Sequence, residues 1–456
     1  MARGGSGVIT LITGIPGLIA LIVCIRRGPP SALINVYLPT LLLLPDYYRW
    51  FFTGHLTFSE TAILPIAACF AIRCWREWKW SFTDVIVIAL TMVMVVSEYV
   101  NGGFYETRNL AIDLVCTWIL PYALAKGLIQ PHHLRAVFAK RIAVLLTIVS
   151  VVAVYEFKMA YNPYERILGP IFPGWNVWVT TFRYGFPRIA GPYGHAILAG
   201  IILVAGYRIT RWLDWSGDWP GNVPFLPISK VRFCEIWLVA AIAMTLCRGP
   251  WIGAGVAALV VSLGRARQRR KAIAFVMIAA ALAAVPTYYG LKSYLSVSRD
   301  AAASESQATA AYRRELLDTY VSVVETRPTW GYGRDFPRDG SMNSIDNYYL
   351  LLALTHGIYA LLAFAILLSW MSVRLARMAA LLPREDPSAS LALTLLGVYL
   401  AFAVSIATVY LGLQAVPLLL MVTGWSEGML LWPASLGTRE SAPALARRFS
   451  FERVMA

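Results

Sequence analysis

The sequence has 456 residues, of which 58% are hydrophobic and only 14% are charged. A soluble domain carries about a quarter charged residues, so this composition excludes a soluble globular chain. The formal net charge is +15, but the basic residues cluster in short loops between apolar runs, as on the cytoplasmic side of membrane proteins. The positive charge therefore does not predict nucleic-acid binding, and the lipid bilayer is the expected environment.

Apolar runs recur along the whole chain. A bilayer-spanning helix needs about 20 mostly apolar residues. The runs that meet or approach this length are 8–25, 84–100, 110–129, 142–157, 189–207, 272–290, 348–370 and 391–411. Each is predicted to be helical, because backbone exposed to lipid must form its own hydrogen bonds. No cleavable signal peptide is predicted, and 31–45 is either a full span or a broken one.

The basic loops orient these spans. The densest is 265–271, and the others are 26–27, 73–79, 126–141 and 374–384. Placing them all in the cytoplasm gives a consistent alternation of roughly 12–13 transmembrane helices. The sequence thus predicts an all-α polytopic membrane protein, with one membrane domain over 1–456 and a cytoplasmic tail at 434–456.

The same orientation places 292–345 outside, as one large periplasmic loop. Its stretch 301–310 has the Ser/Ala composition of a flexible linker. A short helix is predicted at 312–325, where apolar residues recur at helical spacing: Leu316, Leu317, Tyr320, Val321 and Val324. Pro328 ends that helix, and 330–333 forms a turn.

Arginines on the outer side are unusual, because basic residues normally lie inside. Arg188, Arg248, Arg313 and Arg314 come from three separate segments, which the topology brings to one surface. A guanidinium near hydrocarbon is costly unless it meets an anion, and arginine binds phosphate oxygens in a bidentate manner. A lipid-linked diphosphate would suit this surface.

A structural alternative exists for each of these arginines. The side chain could extend to the interface, or it could pair with a carboxylate such as Glu98, Glu106 or Asp113.

Segment 344–350, Ser-Ile-Asp-Asn-Tyr-Tyr-Leu, stands where the outer loop returns to the membrane. Asp346 is a candidate general base for a sugar hydroxyl, and its structural alternative is a helix N-cap. Asn347 and Tyr348 are candidate substrate-binding residues. His195 follows Arg188 closely and is a candidate for the same cavity.

The sequence lacks the motifs of metal-dependent nucleotide-sugar transfer and of ATP hydrolysis by a phosphate loop. No Asp-x-Asp pair is present to hold a metal-bound nucleotide sugar, and no GxxxxGK[ST] phosphate loop occurs. No metal site and no cofactor are predicted.

The order of these motifs resembles the O-antigen ligase and O-antigen polymerase superfamily of bacterial envelope glycosyltransferases. The similar features span about 185–370. They are Arg188 with Gly-Pro-x-Gly-His at 191–195, Thr-Leu-Cys-Arg-Gly at 245–249, Arg313 and Arg314 ahead of 327–333, and 346–350 followed by Gly357.

The resemblance implies a metal-independent, inverting transfer of a glycan from an undecaprenyl-diphosphate-linked donor to an acceptor glycan. It also implies a location in the bacterial inner membrane, with the active face in the periplasm. Arg188, Arg248 and Arg313 or Arg314 would hold the diphosphate.

One departure from the family pattern bears on the acceptor. The ligases place a histidine base where the loop returns to the membrane, and this chain has Asp346. That difference favours a capsule- or exopolysaccharide-type polymerase. An O-antigen ligase is the alternative within the class. A flippase of lipid-linked sugars is the alternative from another class, although the repeated halves of such transporters are not evident.

Overall fold

The computed structural model describes residues 10–49, 56–172, 180–279, 301, 303–337 and 344–432. Its helices, in chain order, are α1 Ile15–Arg27, α2 Pro29–Leu43, α3 Phe58–Arg73, α4 Phe82–Leu114, α5 Leu120–Leu128, α6 Arg135–Met159, α7 Pro163–Leu168, α8 Ala196–Ser216, α9 Lys230–Met244, α10 Arg248–Arg265, α11 269–279, α12 Glu305–Thr326, α13 Tyr348–Leu381, α14 Pro387–Ser405 and α15 Ala415–Leu431. One hairpin joins β1 Phe182–Arg183 to β2 Phe186–Pro187. The predicted tail at 434–456, the end of the run 272–290 and parts of the loop 292–345 lie outside the described residues.

The all-α polytopic prediction is confirmed. In the described ranges, five helical segments are apolar and long enough, by length and composition, to cross a membrane: Phe82–Leu128, Arg135–Met159, Ala196–Ser216, Tyr348–Leu381 and Pro387–Thr408. The first and the fourth of these are interrupted at an internal glycine. Two shorter apolar helices are Pro29–Leu43 and Ala415–Leu431. The number of 12–13 spans stays a prediction.

The core of the bundle lies around α8, α14 and α15, which are buried over most of their surfaces. A helix that is apolar all round is stable only when it is buried, and these three meet that condition. Glycines on α10 allow a close approach to α14. A Cβ atom at Gly253 would lie 2.8 Å from the Ala401 carbonyl oxygen, so only glycine fits there.

The helix that begins at Phe82 reverses at Gly103, where φ is 69° and ψ is −169°. The Tyr122 hydroxyl donates to Asp84 Oδ1 at 2.5 Å, although a straight helix would separate these residues by about 57 Å. The buried Lys126 ammonium also donates to Asp84, at 2.6 Å. The runs 84–100 and 110–129 are therefore two antiparallel legs, as the sequence predicts.

A second reversal, at Gly357, was not predicted. The φ angle there is 78° and ψ is −178°, and the rings of Tyr348 and Phe364 lie 5.3 Å apart. Residues 348–356, which we call the re-entrant helix, therefore fold back on 358–381. The prediction of one continuous span over 348–370 is wrong, because a helix can reverse at a glycine with positive φ.

The turn at 327–333 packs against this reversal. The amides of Tyr332 and Gly333 donate to the carbonyls of Leu354 and Thr355, both at 2.8 Å, and the Ile358 amide donates to the Pro328 carbonyl at 2.7 Å. Carbonyls at a helix end need partners from outside the helix, and this turn supplies them. The motif 327–333 thus closes the end of the re-entrant helix.

Helix α12 starts earlier than predicted. The sequence predicts a linker at 301–310 and a helix at 312–325, but the helix spans Glu305–Thr326. The Ser304 side chain caps it by accepting from the Gln307 amide, and the alanines that follow are strong helix formers. The linker prediction is therefore wrong from Glu305 onward.

The apolar face of α12 packs on the re-entrant helix. Leu316 and Tyr320 are buried in a cluster with Leu350 and Leu354. Leu317 and Val321, which the sequence placed on the same face, are exposed. Helix α12 therefore packs on the bundle through fewer apolar side chains than its sequence spacing predicts.

The two ends of the bundle differ in charge. We call the end that carries α12 the loop end, and the end that carries 265–271 and 374–384 the basic end. The Arg269 guanidinium donates to the Ala379 carbonyl at 3.1 Å, which joins the two basic segments. The loop end is the one that the basic-loop distribution predicts to be periplasmic.

Candidate active site at the loop end

The β1–β2 hairpin presents the first arginines. Phe182 pairs with Pro187 and Arg183 pairs with Phe186. The turn residues Tyr184 and Gly185 have φ angles of 53° and 78°, as in the two-residue turns that suit the twist of a hairpin. Arg183 in β1 and Arg188 just after β2 thereby stand on the two strands of one short ribbon.

The segment that leads into α10 lies beside this ribbon. Leu246 has a φ angle of 50°, which is uncommon for a residue with a side chain. Cys247 occupies the N-cap position, and Arg248 is the first helical residue. Unpaired amides and the helix dipole make such an N-terminus attractive to anions.

Hydrogen bonds tie the hairpin arginines to the α10 entry. Arg188 donates from Nε to the Thr245 carbonyl at 3.3 Å and from Nη2 to Cys247 Sγ at 2.9 Å. Arg183 donates from Nη1 to the Leu246 carbonyl at 2.8 Å. All of these acceptors are neutral, so the contacts orient the guanidinium groups without cancelling their charge.

The Arg248 side chain turns back toward the hairpin. Its Nη2 donates to the Tyr184 hydroxyl at 2.5 Å. Arg188 and Arg248, from segments far apart in sequence, are thus brought to one place.

Helix α12 contributes a further arginine, Arg313. Arg313 Nη2 approaches the Thr408 carbonyl at 3.5 Å, and Arg313 Nε is buried without a hydrogen-bond partner among the described residues. Burial lowers the pKa of Arg313; Asp346 opposes this shift, and the like charges of Arg183 and Arg248 add to it. We call Arg183, Arg188, Arg248 and Arg313 the arginine site.

Asp346 lies at the edge of the arginine site. The Ser344 hydroxyl donates to Asp346 Oδ1 at 2.8 Å. The structural alternative of an N-cap role for Asp346 is not observed, because Asn347 caps the re-entrant helix by accepting from the Leu350 amide at 3.2 Å. Asn347 is one residue closer to the first helical turn, which is where a cap must stand.

His195 caps α8 on the same side. Its Nδ1 accepts from the Ile197 amide at 3.1 Å, which leaves the proton of the neutral ring on Nε2. Burial, together with the nearby Arg188, lowers the pKa of His195 to about 4, and Asp346 opposes the shift. At neutral pH His195 is therefore a hydrogen-bond donor rather than a base.

Two predicted residues do not point into the arginine site. Arg314 is exposed and pairs with Asp318 one turn further along α12, at 3.5 Å. Tyr348 is buried against Phe364 and lies on another face of the re-entrant helix.

Two of the three carboxylates proposed as alternative partners for the outer arginines, Asp113 and Glu98, lie against arginines outside the arginine site. Asp113 lies 3.3 Å from Arg334 and 3.9 Å from Arg49, and Glu98 lies 4.0 Å from Arg334. None of these contacts reaches the arginine site.

Sequence reasoning missed two residues of the site. The outer-arginine argument applies equally to Arg183. Glu156 accepts from the amides of Ala190 and Gly191, at 3.0 and 2.8 Å, and is fully buried. It fixes the chain between Arg188 and His195. A carboxylate near the end of an apolar run was the available signal.

The described residues contain no group of three or more His, Cys, Asp or Glu side chains able to hold a metal ion. Metal independence nevertheless stays a prediction.

The fold and the arginine site define a class: a polytopic helical membrane protein that brings four arginines and Asp346 together at its loop end. Residues 234–365 match the family model described as O-Antigen ligase. The match includes Arg248, Arg313 and Asp346 and begins after Arg188 and His195. The resemblance to the O-antigen ligase and polymerase superfamily is thus confirmed, and it supports a membrane glycosyltransferase-like function. A search of curated proteins found none that matches this chain.

Proposed function

We propose that this chain transfers a glycan from an undecaprenyl-diphosphate carrier to an acceptor glycan, at the periplasmic face of a bacterial inner membrane. The observation that carries this proposal is the convergence of Arg188, Arg248 and Arg313. Arg188 and Arg313 donate to neutral groups, and Arg313 Nε has no hydrogen-bond partner among the described residues. Buried donors without partners are costly, so an anionic ligand is the natural complement.

The leaving group explains why arginines are suited to this place. When the bond between the anomeric carbon and the diphosphate oxygen breaks, negative charge grows on the diphosphate. Preorganised donors stabilise such developing charge in the transition state, and guanidinium groups bind phosphate oxygens in pairs. The N-terminus of α10, with Arg248 as its first residue, adds its unpaired amides.

Asp346 is the proposed base. Its carboxylate takes the proton from an acceptor hydroxyl, whose oxygen attacks the anomeric carbon as the carrier diphosphate departs from the opposite face. The configuration is thereby inverted. Because Asn347 provides the helix cap and Ser344 holds Asp346 Oδ1, Asp346 Oδ2 is left to take the proton. His195, with its proton on Nε2, would donate to a substrate oxygen.

Within this class we favour a polymerase, because Asp346 stands where the ligases have histidine. An O-antigen ligase is the second candidate, and the description of the matched family model favours it. The two differ in the acceptor and not in the chemistry at the donor.

Glycan analysis of a deletion strain tests the proposal. Loss of long chains with single repeat units retained indicates a polymerase, and accumulation of carrier-linked polymer indicates a ligase. Untouched repeat units held on the cytoplasmic leaflet would contradict both and indicate a flippase. An unchanged glycan profile would contradict the proposal as a whole.

A further inference from the structure

A cavity of about 330 Å³ opens at the loop end, on the far side of the re-entrant helix from α12. Its charged lining consists of Asp46, Arg49, Glu60, Asp113 and Arg334. We call it the mixed-charge cavity. We infer that it binds the sugar end of the acceptor glycan, an inference that rests on the proposed transferase function.

The cavity is a neighbour of the arginine site. Tyr348, Leu352 and His356 recur at helical spacing and form the face of the re-entrant helix that lines the cavity. Leu350 and Leu354 lie on another face of the re-entrant helix and pack against α12, the helix that carries Arg313. A single short helix therefore separates the two regions, and Asp346 stands just before its first turn.

The segment that joins α14 to α15 forms a second partition. Thr408 accepts from Arg313, and Tyr410 lies within 6.0 Å of the His195 ring. The residues that follow at once, 411–413, line the cavity. Segment 408–413 thus contacts the arginine site on one side and lines the cavity on the other.

The carboxylates that line the cavity outnumber the arginines by three to two, and the two arginines lie against one of them. Asp113 lies between two arginines, 3.3 Å from Arg334 and 3.9 Å from Arg49. Behind Arg334, the side chain of Glu98 is only 2% exposed, and its Oε2 has no hydrogen-bond partner among the described residues. A phosphate would find these arginines already neutralised, whereas sugar hydroxyls can donate to carboxylates and accept from guanidinium groups.

The rest of the lining suits a sugar. Met94, Leu110 and Trp118 provide apolar walls, and small-molecule sites typically combine such walls with a few fixed polar groups. The volume is near the lower end of the range for ligand sites. The occupant is therefore a short stretch of uncharged sugar, not the lipid carrier.

Steady-state kinetics of the full-length protein in lipid nanodiscs test the inference, with donor and acceptor concentrations varied separately. Asp113→Asn and Arg334→Gln should raise the acceptor KM about tenfold or more, which is the scale for losing a charged hydrogen bond, and leave the donor KM unchanged. Asp318→Asn, an exposed carboxylate on α12, is the matched control. A rise in the donor KM alone, or no change in the acceptor KM, would overturn the inference.

A binding measurement separates this inference from the proposed function. The probe is a set of short oligosaccharides released by mild acid from the carrier-linked glycan of the parent strain. Thr117→Trp, which fills the cavity, should abolish binding in nanodiscs, while Arg188→Lys should bind as the wild type does. Melting temperatures show that each variant is folded.

The outcomes are distinct. If the wild type binds the probe but transfers no glycan, the proposed transferase function is contradicted and the proposed sugar site in the cavity is supported. If the wild type transfers glycan and Thr117→Trp retains the wild-type acceptor KM, the proposed sugar site in the cavity is contradicted and the proposed transferase function is supported.

Discussion

The arginine site and the mixed-charge cavity lie side by side at the loop end, and both contain arginines. In the arginine site, Arg188 and Arg313 bond to backbone carbonyls and a thiol. In the cavity, Arg49 and Arg334 lie against Asp113. Neutral partners orient a guanidinium and leave its charge, whereas a carboxylate partner cancels the charge.

The difference explains how one face could hold two chemically different substrates. Unbalanced positive charge at the bilayer surface selects an anion, whereas arginines that already lie against a carboxylate offer hydrogen bonds and attract an anion less. The same comparison shows why a count of outer arginines is not enough. The role of each depends on the group that its guanidinium meets.

The largest expected effect is at Asp346, the proposed base, which stands at the edge of the arginine site. Asp346→Asn keeps the shape of the side chain and removes the basic oxygen, so transfer should fall roughly 100- to 10,000-fold. The melting temperature should not change, because Asn347 is the helix cap. Purified protein in nanodiscs, assayed for transfer and for thermal unfolding, checks both statements.

Asn347→Ala is the control for that variant. It should lower stability by about 1 kcal/mol through loss of the cap. An Asp346→Asn protein with normal activity would remove Asp346 as the base.

The next largest effect distinguishes Arg313 from Arg314, which are neighbours on α12. Arg313→Lys should reduce kcat/KM for the donor roughly 100-fold, as for loss of one preorganised donor in a transition state. Arg314→Lys should stay within about twofold, because an exposed ion pair contributes little. The two substitutions are chemically identical and adjacent in sequence, so equal losses would contradict the assignment of the site.

Arg188→Lys and Arg248→Lys extend the test to the other two segments. Both should behave like Arg313→Lys in the donor titration. Full activity in both would mean that these side chains only extend to the membrane interface.

A smaller effect is expected at Glu156, which acts through the backbone that it holds. Glu156→Gln replaces one acceptor oxygen with an amide that faces a backbone amide, which should cost about 2–3 kcal/mol. The melting temperature should fall, and the donor KM should rise because the chain after Arg188 is loosened. Glu325→Gln, an exposed glutamate on α12, should change neither quantity.

Much of this architecture could be predicted from the sequence, and the failures have physical causes. Apolar runs and basic loops predict the helical class and the end where the outer arginines meet, because bilayer energetics act on composition. They do not predict that Gly357 reverses a helix, since the reversal depends on 327–333 packing against it. The sequence leaves an N-cap role open for Asp346 and does not show that Asn347 is the cap, because Asp and Asn are equally good caps and only the backbone decides between them.

The mixed-charge cavity was also missed. Its lining comes from loops and helix ends that are far apart in sequence, and the sequence marks Asp113 only as a possible partner for the arginines of the other site. No local motif marks such a cavity. Long-range packing of the α4 reversal, the re-entrant helix and 411–413 creates it.

The smallest effect concerns His195 and pH. The folded-state pKa is lowered to about 4, from 6.5, by burial and by Arg188. Between these values the unfolded chain binds a proton that the folded chain excludes, so the stability that neutral His195 contributes is complete above pH 6.5 and is lost as the pH falls toward 4. At pH 5 the loss amounts to about 2 kcal/mol. His195→Asn keeps an N-cap side chain and removes the titration. Melting temperatures between pH 7.5 and 5 should therefore fall less for this variant than for the wild type, and equal slopes would show that His195 is not held neutral beside the arginine site.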